Sequence, residues 1–379
     1  MAQKKKVLFA ATVVKTHIME FHLPYLKMFQ DMGWETAVAA KNDYEDPADC
    51  VIPHCDAYYN VPFARIPWKT DNLSAYRQLK RIIDEGEYDL IHCHTPVGAM
   101  LTRLAAIGAR KRGTKVIYTA HGFHFFKGAP LINWLAYFPV EWLLGGLTDV
   151  LITINREDYA FARKCIGAKR IEYVPGVGVD TSRFAAGNTD ASAKRQELGL
   201  QDSDFLILTV AEMTKNKNHT TVLKALALLK DTEVYPHMHY LICGRGEQWP
   251  NLEAEAKQLG IDDHVHFLGY RHDVPQLCSC SDLFAFMSMR EGLSVALMEA
   301  MSCGLPTVCQ NIRGNDDLID DGVSGLFVEN SPRAVADAFL ALYQDPQRRK
   351  EMGSAANQKI RRFDKENVHR IMKEIYLSI

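Results

Sequence analysis

The sequence predicts an α/β protein made of two doubly wound, Rossmann-like domains facing a cleft, and three observations carry that prediction. Short apolar runs alternate with amphipathic stretches, the pattern of parallel strands joined by crossover helices. The alternation runs through the first half of the chain, breaks, and restarts after residue 200. The length of 379 residues exceeds one domain of about 150 residues and suits two.

The first unit opens with the apolar run Val7–Val14 behind Lys4, Lys5 and Lys6, which imitates a secretory leader. Lys15 and His17 follow with no cleavage site and the β/α pattern continues, so the run reads as a buried first strand. Thr36–Ala40, Leu90–Cys93, Val116–Ala120 and Val150–Ile154 read as the next strands. Between them, residues 74–85 set Tyr76, Leu79, Ile82 and Ile83 on one helical face. The second unit repeats the pattern with Phe205–Ala211, His239–Cys243, His264–Leu268, Leu283–Met287 and Thr307–Gln310. Residues 185–193, AAGNTDASA, are small, polar and turn-forming, so they read as the linker between domains 1–184 and 194–363. Ser331-Pro332 and Asp345-Pro346 each place a capping residue before a proline suited to the first helical position. A last helix within 364–379 carries Val368, Ile371, Met372 and Ile375 on one face, which must bury against something; the first domain is the candidate.

Forty-four basic against 46 acidic residues leave a net charge of −2, so no field exists to hold nucleic acid. Nine scattered cysteines without a C-x-x-C pair suit a reducing, cytoplasmic setting. Cys278 and Cys280 read as ordinary apolar usage. No run of 18 uninterrupted apolar residues suggests a membrane span.

In an open α/β fold, ligands bind at the carboxyl ends of the strands. There the sequence places Glu291-Gly292-Leu293-Ser294, followed by Val295 to Met301 with Glu299 eight positions after Glu291. Gly292 permits a close turn, and the helix start after it offers free N–H groups to a phosphate or sugar oxygen. Glu299 can accept hydrogen bonds from ribose hydroxyls, as acidic residues of dinucleotide sites do.

Residues 291–308, EGLSVALMEAMSCGLPTV, resemble the E-x7-E signature of family 4 of the retaining glycosyltransferases of GT-B fold. The resemblance extends, in order, over DLIHCHTP (89–96), TAHGF (119–123), PGVGVD (175–180), TKNKNH (214–219), VHFLG (265–269) and GYRHD (269–273), and is strongest to the bacterial capsule and exopolysaccharide subgroup. It implies a nucleotide-sugar donor bound by the C-terminal domain, with UDP favoured over GDP, and an acceptor bound by the N-terminal domain. It implies that Glu291 holds donor sugar hydroxyls and Glu299 the ribose. Lys217 would neutralise the leaving diphosphate without a metal, and His121 would lie beside the reacting sugar. Gly292, Leu293 and Ser294 would cradle the diphosphate. The chain departs from many relatives at Ala211-Glu212, where they carry Gly-Arg; Lys215 and Arg245 are the candidates for the missing charge. The Gly-rich stretch common after the first strand is replaced by Thr16–His22, the candidate seat of acceptor specificity.

Two other classes compete. A nucleotide-sugar 2-epimerase on the same scaffold would need acid and base groups beside the sugar, and such enzymes lack the TKNKNH and TAHGF segments. A metal-dependent hydrolase would use His17, His22, His92, His94, His121 and His124. Strand alternation sets His92 and His94 on one face, but a full ligand set needs two more groups, so they read as structural or acceptor-side histidines and no metal is expected. Asp202 and Asp204 precede their strand, at the wrong end to hold Mg²⁺ at the diphosphate.

Residues 123–147 concentrate aromatic and aliphatic side chains, interrupted by Lys127, Pro130, Asn133, Pro139 and Glu141. Trp134, Tyr137, Phe138 and Trp142 have the character of an interfacial segment, with Arg103, Arg110, Lys111, Arg112 and Lys115 as candidate contacts to anionic lipid. The expectation is peripheral attachment to the inner face of the membrane and a lipid-linked sugar acceptor.

Overall fold

The computed structural model describes residues 4–64, 66, 69–185 and 190–379. Contacts divide them into two units, one running to Val177 and including Val368–Ile379, the other Gly178–Asn367. The first change of unit thus falls ahead of the linker read from the sequence, because Val179 and Phe184 already pack in a core of the second unit. Residues 186–189 of that linker lie outside the described residues. Ala191–Glu197 is helical, its start capped by Asp190 accepting from the Ala193 N–H.

The first unit holds a parallel sheet of β1 (Lys6–Val13), β2 (Glu35–Lys41), β3 (Ala57–Asn60), β4 (Leu90–His94), β5 (Lys115–Ala120), β6 (Val150–Thr153) and β7 (Arg170–Tyr173), in the order β3-β2-β1-β4-β5-β6-β7. The second holds β8 (Phe205–Val210), β9 (Met238–Cys243), β10 (Val265–Gly269), β11 (Leu283–Phe286), β12 (Thr307–Cys309) and β13 (Gly325–Phe327), in the order β10-β9-β8-β11-β12-β13. Strand order reverses once in each sheet, between β1 and β4 and between β8 and β11. These are the switch points at which ligands bind in such folds.

The central strands β1 and β8 are mostly apolar because helices cover both faces. The sequence reading omitted β3, β7 and β13. Their sequences, AYYN, RIEY and GLF, are short, and most of their residues are partly exposed, so they carry no long apolar run. The expected helix is Asp71–Gly86, burying Ala75, Leu79, Ile82 and Ile83. Ser331 caps Pro332–Gln344 and Asp345 caps Pro346–Ile360. The closing helix Lys365–Leu377 buries Val368, Met372, Ile375 and Tyr376 in a first-unit core with Val7, Phe9, Leu26 and Phe29.

The helix Leu131–Gly145 is held from beneath. Glu141 pairs with the fully buried Arg103 at 2.9 Å, the Tyr118 hydroxyl donates to Glu141 at 3.3 Å, and the Arg103 guanidinium stacks over Tyr118 at 4.3 Å. Trp134 and Phe138 pack against Phe125 and Phe161. These facts correct the residues of the interfacial reading, Trp142 excepted, which is exposed. Trp134, Tyr137 and Phe138 pack against the core, and Arg103 is spent on Glu141. Arg110 pairs with Asp149 and Arg112 with Asp84. Removing one partner of a buried pair strands the other charge, so Glu141→Ala should cost about 3–5 kcal/mol in urea denaturation, and the double replacement Arg103→Met with Glu141→Leu far less.

Candidate functional site

At the switch point of the second sheet, two loops are clipped together. The loop after β8 contains the short turn Lys215–Lys217, with Asn218 in the left-handed region at φ +55°. The loop after β11 contains Glu291–Ser294. The Met289 N–H donates to the Asn216 carbonyl at 2.8 Å, and the Asn216 side chain donates back to the Arg290 carbonyl at 3.0 Å. This seats the Lys217 ammonium on the Glu291 carboxylate at 2.6 Å, above the ring of Phe286. Both side chains keep a partial opening to solvent.

Ser294 caps the helix Val295–Ser302, accepting from the Leu297 N–H, so Gly292 and Leu293 lie immediately before its first turn. Glu299 sits inside that helix. Burial lifts its carboxyl from the ordinary value to about 7, against the pull of Arg183 and Lys365. Lys215 and Arg245 are both exposed, on the loops after β8 and β9. The two loops run backbone to backbone: the Met213 N–H donates to the Arg245 carbonyl at 2.9 Å, and a Cβ on Gly244 would come within 2.0 Å of the Ala211 carbonyl oxygen. That contact explains the GRG turn. Glu212 is exposed, while its carbonyl faces the buried His219 ring at 3.2 Å.

Sequence reasoning missed two supports of the Glu291 loop. The Arg313 Nε donates to the Glu291 carbonyl at 3.1 Å. Gly314, at φ +83°, lies so close that a Cβ there would meet the Gly292 carbonyl oxygen at 2.3 Å. Both follow β12 by several residues, and no local spacing points from them to residue 291.

The switch point of the first sheet gathers histidines. After β1 the chain makes a π-helical turn, Val14–Ile18, pinned by Asp43, which accepts from the Lys15 N–H at 2.6 Å and the Thr16 hydroxyl at 3.1 Å. This turn brings His17 and His22 onto His94 at the end of β4 and His121 just after β5, with one nitrogen from each of the four within 4.8 Å of the others. The remaining members of the sequence-derived set lie outside this group of four. His92 uses both nitrogens, with the Tyr376 hydroxyl at 2.7 Å and the Thr119 hydroxyl at 2.8 Å, and His124 stacks on Tyr137 at 4.6 Å. Burial depresses the pKa of every ring in the cluster, that of His121 to about 4, so the imidazoles are neutral. His17 also borders a cavity lined by Thr12, Thr16, Thr95, His124 and Tyr137.

Comparison with known proteins decides the class. The model for glycosyl transferases group 1 matches residues 190–359, and that for glycosyl transferase 4-like proteins matches residues 6–155. EpsD of Bacillus subtilis, which is named as a glycosyltransferase, is 40% identical over 375 residues, covering 98% of this chain and 96% of its own. The chain belongs to glycosyltransferase family 4. This glycosyltransferase is also 28% identical, over 70% of each chain, to the Escherichia coli UDP-Gal:α-D-GlcNAc-diphosphoundecaprenol α-1,3-galactosyltransferase. Its fold is GT-B: Anabaena HepE solved with UDP superposes at a TM-score of 0.81, with 21% identity over 99% of this chain and 100% of that one. WaaG, a glycosyltransferase involved in lipopolysaccharide biosynthesis, gives 0.76 at 17% identity over 98% and 99%.

Among the described residues of this glycosyltransferase, no helix is long and apolar enough to cross a membrane. The helix Leu131–Gly145 nevertheless turns an apolar face outward. Leu131, Ile132, Leu135, Trp142 and Leu143 are 57–72% exposed, and Ala136 and Pro139 lie exposed among them.

Proposed function

We propose that the protein is a retaining hexosyltransferase that moves a sugar from a UDP-sugar to a polyprenyl-diphosphate-linked or oligosaccharide acceptor in capsule or exopolysaccharide synthesis. The observation that carries this reading is the Lys217–Glu291 pair at 2.6 Å, at the switch point of the second sheet and one turn ahead of a capped helix start. It supplies a cation for a leaving diphosphate and a carboxylate for sugar hydroxyls within one contact. The UDP in the HepE structure and the UDP-Gal in the name of the E. coli relative support the choice of base. That relative's diphosphoundecaprenol acceptor supports the lipid-linked acceptor.

In this mechanism Lys217 and the N–H groups after Gly292, Leu293 and Ser294 neutralise the diphosphate as the glycosidic bond breaks, with no metal at the diphosphate. Lys215 or Arg245 supplies the second positive charge. Glu291 orients the sugar and Glu299 accepts from the ribose. His121 stands on the acceptor side. The leaving diphosphate stabilises positive charge on the sugar on the same face as the incoming acceptor, and the product keeps the donor's anomeric configuration.

Lys217→Ala should lower kcat by about 10² or more, since a charge aimed at developing negative charge supplies several kcal/mol. Calorimetric affinity for UDP should be the same with and without added Mg²⁺; wild-type turnover in the variant, or a requirement for the ion, would place the diphosphate elsewhere.

Glu299 accepts ribose hydroxyls best as the carboxylate, and its pKa is about 7. Affinity for UDP-glucose, whose diphosphate has no proton to lose in this range, should therefore rise with pH, by about tenfold from pH 6 to pH 8, and level off above. Glu299→Gln should bind weakly with no such slope.

The outward face of Leu131–Gly145 is proposed to rest on the membrane that carries the acceptor. Leu135→Ser with Leu143→Ser should reduce sedimentation with anionic phospholipid vesicles and activity on a polyprenyl acceptor. Melting temperature and UDP-glucose affinity should not change, because both side chains are solvent-facing. Equal vesicle binding by the variant would assign this face to a protein contact.

A further inference from the structure

We propose that His17, His22, His94 and His121 form a binding site for one divalent d-block cation of the zinc class. The inference is independent of the donor-site reading, since all four lie in the first unit.

The geometry is that of a ligand set. A tetrahedral ion with nitrogen ligands at about 2.0–2.1 Å spaces those nitrogens about 3.4 Å apart and the ring centres about 5 Å apart. His121 Nε2 lies 3.4 Å from His94 Nδ1. The six ring-centre separations run from 3.9 to 6.4 Å, four of them between 4.9 and 5.6 Å.

The hydrogen bonding points the same way. His17 Nε2, both nitrogens of His22 and His94 Nε2 are buried with no hydrogen-bond partner among the described residues. Leaving buried polar atoms unpaired is costly, and native proteins avoid it. The neighbouring His92 shows what a histidine with a purely structural role does in the same setting, pairing both ring nitrogens with hydroxyls. A cation among the four would give His17 and His22 a partner that protein atoms do not provide, while His94 Nδ1 and His121 Nε2 at present face only each other. No carboxylate or thiol joins the group among the described residues, and Cys93 turns its thiol to the Ile117 carbonyl. An all-imidazole set suits zinc-class ions and not Mg²⁺ or Ca²⁺, which take oxygen ligands.

Four protein ligands make a closed, structural site. The ion would tie the turn after β1 to the ends of β4 and β5, and so fix one wall of the cavity lined by Thr12, Thr16 and Thr95. On this assignment His121 is a ligand, not a free imidazole, and the metal-free proposal is confined to the diphosphate.

The test uses the untagged full-length chain, stripped with a chelator and dialysed against Zn²⁺ or Co²⁺. Elemental analysis should find one ion per chain, Co²⁺ should give the intense visible absorption of four-coordinate cobalt, and Zn²⁺ but not Mg²⁺ should raise the melting temperature. His22→Ala and His94→Ala should each weaken metal binding by at least about tenfold and keep UDP-glucose affinity, which reports that they fold. His266→Ala should retain the full metal content. Wild-type protein without stoichiometric metal and without the cobalt band overturns the proposal, whatever the variants do. So does a His22→Ala/His94→Ala double variant that keeps the band.

Discussion

Both candidate sites of this chain depend on one constraint of parallel sheets. Right-handed crossovers lay successive strands outward from the first, and the order must then reverse to fill the other side. Where it reverses, the loops leaving two adjacent strands depart toward opposite faces and leave a gap that side chains can enter. Between β8 and β11 that gap holds Lys217 and Glu291. Between β1 and β4 it holds His17 and His94. The two halves share no evident sequence repeat, yet each uses the same point of its sheet, because that is where backbone pairing leaves room.

The interior of the fold was legible because burial on both faces forces long apolar runs, as in LFAA of β1 or FLIL of β8. Edge strands were not, since β3 and β7 are only half covered and their residues answer to solvent as much as to the core. The candidate site of the second sheet was legible where one loop carries its own pattern, as in Glu291–Ser294. Its supports were not, because Arg313 and Gly314 act through backbone proximity that sequence spacing does not encode.

The histidines and the helix Leu131–Gly145 show the same limit from two directions. Alternation along β4 correctly put His92 and His94 side by side, but it could not separate a ring with both nitrogens satisfied, one by Tyr376, 284 positions away, from one whose buried Nε2 has no partner among the described residues. In the helix, composition drew attention to the aromatic residues as the surface candidates. Phe125 and Phe161 instead give Trp134 and Phe138 an inward home, and Trp142 is left outside with the aliphatic residues. Composition identified the segment, and tertiary contacts decided which side of it faces water.

The ion pair at the second switch point has a consequence for turnover. A lysine already held by a carboxylate is not a vacant charge, so a diphosphate would recruit Lys217 only by drawing it from Glu291. On the proposed roles, a nucleotide sugar brings hydroxyl donors that satisfy the carboxylate at the same moment, and loading becomes an exchange of partners. Once the sugar has left, Glu291 has nothing else to accept from and competes again for the lysine. On those roles the transfer itself would loosen the spent nucleotide, and the pair that receives the donor would also help to release the product.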